Sequence, residues 1–172
     1  MCSEAPCLGK LALIVLIIGF VCATIAIFTP YWNEQDLGSK TKISGLISTC
    51  DDNAIGYCVG DINEVIASFN GTEFVDDFIA TLSLQLGGWT AMLAGVIVMI
   101  VYTCLPNKIL AIVGLILCLL SGGMIIASMV VYGIGITTIM DSVLSWSFGL
   151  DVAGGGLALI AGVIMIINSC IL

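Results

Sequence analysis

Trp32-Asn-Glu-Gln-Asp-Leu-Gly-Ser-Lys-Thr-Lys-Ile-Ser-Gly45-Leu46-Ile47-Ser-Thr-Cys50-Asp51-Asp52-Asn-Ala-Ile-Gly-Tyr-Cys58 opens the one long polar window in an otherwise apolar chain. Its two cysteines are the only ones of eight that lie neither in or beside an apolar segment nor on the N-terminal tail. Around it, 60% of the 172 residues are hydrophobic and 9% charged, and the mean hydropathy is +1.21. A water-soluble domain carries about a quarter charged residues, so the solvent for most of this chain is lipid. There are twelve acidic residues, four lysines, no arginine and no histidine. Nucleic-acid binding needs clustered basic side chains and is excluded. The missing histidine removes the commonest general base and zinc ligand. No nucleophile–base pair or metal cluster is legible, so neither an enzyme nor a cofactor is expected.

Working outward from the window, residues 11–29 are almost wholly apolar and long enough to cross a hydrocarbon layer of roughly 30 Å. A cleavable signal peptide is the competing reading of this segment. The run continues past Ala23 to Phe28 and its head is barely basic, which favours a span. Pro30-Tyr31-Trp32 closes it, a helix breaker followed by two aromatics of the membrane-interface type. The polar window, residues 30–83, is followed by spans at 84–105 and 109–134, joined by a turn at 106–108. A connection at 135–150 leads to a last span at 151–172. Small residues recur at one-turn spacing in every span: Gly19 and Ala23; Gly87, Ala91 and Gly95; Gly114, Cys118 and Gly122; Gly154, Ala158 and Gly162. Such stripes let helices approach closely in lipid, so a compact left-handed bundle is expected.

Lys10 and Lys108 flank one side, and the sequon Asn70-Gly-Thr lies in the long loop. Both cues put the termini in the cytoplasm and the loop outside, with Asn70 a candidate for glycosylation. Outside is an oxidising compartment, where Cys50 and Cys58, with seven residues between them that include Gly56, are expected to form a disulfide. A metal pair would lack further ligands in the loop. Cys2, Cys7, Cys104 and Cys170 lie at the cytoplasmic edge as palmitoylation candidates. Residues 33–82 hold nine acids against two lysines, so Asp51, Asp52, Asp61 and Glu64 are candidates for attracting cations, or for simply solvating the face. Apolar residues at 74, 78, 82 and 86 suggest a short amphipathic helix leading into the second span. Asp151, at the head of the last span, reads as a hydrated or helix-capping carboxylate rather than a mid-membrane functional acid.

Four spans with the larger loop first, the loop signature Trp32, Gly45-Leu46, Cys50 and Cys58, the Thr29-Pro30-Tyr31-Trp32 exit and the Trp146-Ser-Phe entry resemble the claudin superfamily. That group covers claudins, peripheral and epithelial membrane proteins, and stargazin-type channel subunits. Ile47 stands where the family usually has a second Trp, no arginine follows Cys58, and the last span runs to Leu172 without a PDZ-binding tail. The chain therefore resembles a divergent member. The resemblance implies an all-α four-helix membrane bundle capped by a small extracellular antiparallel sheet, with four strands from the first loop and one from the second. Trp32, Gly45 and Leu46 would anchor that sheet onto the outer leaflet. It implies a non-enzymatic plasma-membrane protein that meets copies of itself or other membrane proteins at cell–cell junctions, shaping a cation-permissive path. The alternative it leaves open is an accessory subunit that modulates a channel or receptor.

Overall fold

A computed structural model describes residues 7–36, 41–47, 49–51, 58–59, 74–140 and 143–171. Among the described residues the helices are α1 (Cys7–Phe28), α2 (Phe74–Cys104), α3 (Lys108–Met140) and α4 (Trp146–Ile171). All four contain a stretch long and apolar enough to cross a membrane. Among the described residues, thirty large apolar side chains face outward, including Ile14, Ile97, Ile116 and Ile160. That outward face suits lipid and not water, and the chain is a multi-pass membrane protein.

The helices alternate in direction and pack in a ring, α1 on α2, α2 on α3, α3 on α4 and α4 back on α1. The small residues sit at these contacts. A Cβ on Gly19 would lie 2.9 Å from the Gly154 carbonyl oxygen, and one on Gly154 would lie 2.9 Å from the Gly19 oxygen and 3.0 Å from the Ala23 nitrogen. Here α1 and α4 touch backbone to backbone. On the other side, Gly122 faces the Gly155 carbonyl and Leu159, while Gly162 receives Leu119.

Three element boundaries differ from the hydropathy reading. The amphipathic segment from residue 74 leads without a break into the second span, so that α2 starts ahead of the apolar run at 84. Gly87 and Gly88 do not interrupt it, because both are seats for α3: Met124 fills the space beside Gly87, and Ile125 and the Ser121 carbonyl crowd Gly88. In addition, α3 continues to Met140, and α4 begins at Trp146 rather than 151.

Five short strands pair at the end of the bundle where α1 and α3 finish and α2 and α4 begin. They are β1 (Asn33–Asp36), β2 (Thr41–Ser44), β3 (Thr49–Asp51), β4 (Cys58–Val59) and β5 (Val143–Leu144). All pairings are antiparallel, in the order β4-β3-β2-β1-β5. At the opposite end the turn between α2 and α3 is held by the Asn107 carboxamide oxygen, which accepts the Ile109 amide at 3.0 Å as a helix cap.

Replacing Gly154 by Leu is expected to cost about 1–3 kcal/mol through overpacking. Gly156→Ala, with nothing within 4 Å of the new Cβ, should stay within about 0.5 kcal/mol of the parent. Denaturant unfolding of the purified protein checks both, and equal losses would contradict the α1–α4 contact.

Candidate functional site: the seam between sheet and bundle

The sheet meets the helices through the residues singled out in the loop signature. Trp32 is fully buried, packed with Leu46, Phe78, Met129 and Tyr132, and Ile47, Leu82 and Phe148 close the cluster. Its ring lies edge-on to Tyr132 at 5.2 Å and to Phe148 at 6.3 Å. The indole N–H donates to the Ala26 carbonyl at 2.6 Å. Trp32 thus anchors the sheet to protein; with no exposed surface, it does not dip into the outer leaflet as the resemblance implied. Its neighbour Tyr31 is exposed and meets the exposed Trp146 ring at 5.6 Å. That pair, rather than Trp32, is the aromatic unit suited to the membrane interface.

Gly45 is required by distance. A Cβ there would lie 2.6 Å from the Pro30 Cα and 2.8 Å from the Thr29 carbonyl oxygen. This close approach carries β2 across the end of α1 and drops Leu46 into the Trp32 cluster. The start of α4 is tied to the same corner. Ser145 and Ser147 amides donate to the Trp32 and Tyr31 carbonyls at 3.0 and 3.2 Å, and the Thr29 and Ser147 hydroxyls are 2.8 Å apart.

Cys50 and Cys58 are Cα partners across β3 and β4, and Lys42 is the Cα partner of Asp51 across β2 and β3. The side chains of these four residues lie outside the described set, as do Cys2, Asp52, Asp61, Glu64, Asn70 and the side chain of Cys170. Cys7 and Cys104 are exposed at the bundle end remote from the sheet. Among the described residues no group of three His, Cys, Asp or Glu could hold a metal ion.

Below the seam lies a polar core that the sequence reading missed. Asp151 is fully buried, five residues into α4, so it neither caps that helix nor meets solvent. The earlier start of α4 moves it off the helix end and turns it into the bundle. Its Oδ1 accepts the Gln85 Nε2–H at 2.8 Å across the diagonal from α2, and the Ser128 hydroxyl of α3 donates to Gln85 Oε1 at 2.6 Å. The signal was present as polar pairs at one-turn spacing, Thr81 with Gln85, Ser128 with Tyr132, and Ser147 with Asp151.

Compared with family models and with curated proteins, the chain finds no match.

Trp32→Phe keeps most of the ring but loses the bond to Ala26 and is expected to cost about 1–3 kcal/mol. Trp32→Ala should cost about 3–5 kcal/mol. The two are measured by thermal or denaturant unfolding in detergent; a neutral Trp32→Ala would refute the seam.

Proposed function

We propose that this chain is a non-enzymatic, claudin-like protein of the plasma membrane that assembles with other membrane proteins through its sheet-bearing acidic face at cell–cell contacts. The observation that carries this reading is the seam itself. Trp32, Gly45 and Leu46, the residues on which the resemblance rests, are the ones that seat the sheet on the bundle. A sheet held this firmly is a usable docking surface. Its outer strands, β4 and β5, span two residues each, and an added strand from a neighbour could extend either edge.

In this reading the bundle is left-handed and the sheet lies outside the cell. Lys10 and Lys108, at the end remote from the sheet, support cytoplasmic termini, and Asn70 is then available for glycosylation. Cys50 and Cys58 form a disulfide that staples β3 to β4. The register makes them direct partners, and closing so short a loop contributes about 2–3 kcal/mol. Cys7 and Cys104, exposed at the cytoplasmic end, are open to acylation. The acids of the first loop enrich cations beside the contact and favour a cation-permissive path.

Expressed in epithelial cells, the protein should enrich at borders between two expressing cells and raise sodium over chloride permeability across the layer. Uniform surface distribution together with stoichiometric co-purification of a channel would overturn the adhesion reading. Cys50→Ser and Cys58→Ser should each cause intracellular retention, and normal surface delivery of both would contradict the disulfide.

A further inference from the structure

We propose that Asp151 and the buried oxygens above it bind one small monovalent cation of the sodium class. The argument starts from charge. Asp151 has no exposed surface, and of its two oxygens only Oδ1 has a partner; Oδ2 has none among the described residues. Gln85 turns its N–H toward the acid, an orientation held by the Ser128 hydroxyl on its carbonyl end. An isolated carboxylate inside a membrane bundle is costly unless a positive charge sits beside it. Among the described residues no cation sits beside it. The chain has four lysines and no arginine or histidine. The described lysine side chains, Lys10 and Lys108, are at the far end of the bundle.

The second observation concerns the surrounding oxygens. Thr81 is fully buried and its Oγ1 has no partner among the described residues. It lies one turn above Gln85 on the same face of α2, on the side toward the sheet. Asn33, at the start of β1, is 4% exposed and its Oδ1 has no partner among the described residues. The unpartnered oxygens of Asn33, Thr81 and Asp151 thus all belong to the sheet end of the bundle. Hard cations take oxygen ligands of this kind. A single carboxylate with neutral oxygens balances one positive charge, whereas a divalent ion would leave an excess charge buried. The site is independent of the assembly reading, which rests on the edges of the sheet.

The test is thermal unfolding of the full-length protein in detergent, with sodium chloride exchanged for choline chloride at constant ionic strength so that screening is unchanged. A bound ion stabilises by mass action, so the unfolding temperature should rise saturably by several degrees with sodium. Asp151→Asn, which keeps the shape and removes the charge, should abolish the dependence without lowering the unfolding temperature in choline. Thr81→Val, which removes only an oxygen, should raise the half-saturating sodium concentration about three- to tenfold; this variant decides the matter if Asp151→Asn fails to fold. Identical unfolding in the two salts at every concentration would overturn the proposal and leave a proton or water at Asp151. Sodium dependence that survives in Asp151→Asn, or an unshifted Thr81→Val, would overturn it as well.

Discussion

The hydrogen bond from the Trp32 indole to the Ala26 carbonyl settles how the first helix ends, and the rest of the structure follows from that ending. The last four carbonyls of any helix lack intrahelical partners, and at membrane depth there is no water to satisfy them. Here Pro30 stops the helix. Trp32 covers the Ala26 carbonyl at 2.6 Å, and the Thr29 hydroxyl donates to Ile25 and Ala26 at 2.8 and 3.2 Å. The chain then leaves as β1 with its largest side chain already turned into the bundle. Gly45 lets β2 pass over the same corner, and the amides of Ser145 and Ser147 bring α4 to it. One capping event thus joins the first helix, the sheet and the last helix.

Lipid contributes no hydrophobic drive between helices, so the bundle below depends on close packing and on internal polar ties. Two ties cross the diagonal from α2 to α4: Gln85 to Asp151 near the sheet, and Asn168 to the Tyr102 hydroxyl at 2.8 Å near the other end. On each helix the two tie residues are seventeen positions apart, or about 25 Å of helix, close to the thickness of a hydrocarbon layer. Between them the buried core is apolar and rich in small and sulfur-containing residues, including Ala23, Met92, Met99, Cys118, Ala158 and Ala161. A third polar bond, from the Trp89 indole to the Thr24 hydroxyl at 2.9 Å, joins α1 to α2, where Phe20 stacks on Trp89. The bundle is braced near both ends and tightly filled between.

Much of this was legible in the residues because lipid imposes strong rules on sequence. Four apolar runs and their one-turn stripes of glycine and alanine sufficed for the helices and for the faces they turn to one another. Trp32, Gly45 and Leu46 stood out as a pattern, though not for the reason the structure supplies; exposed Tyr31 suits the interface and buried Trp32 holds the protein together. Element ends were harder to read. Nothing in Trp146-Ser-Phe-Gly-Leu marks a membrane helix by hydropathy, yet those residues form the first turn of α4 because the seam holds them there. That shift of five residues carries Asp151 from a solvated helix end into the interior, which is why the polar core escaped a reading based on composition.

The central claim is that the sheet is fixed to the bundle through the Trp32 corner. Hydrogen–deuterium exchange on the protein in lipid nanodiscs tests it most directly. The amides of residues 33–36 and 41–44 should exchange slowly in the parent. In Trp32→Ala they should be released together, while the α2–α3 interior stays protected. Exchange of these strand amides at the rate of an unstructured peptide in the parent, or protection unchanged by removal of the indole, would contradict the account.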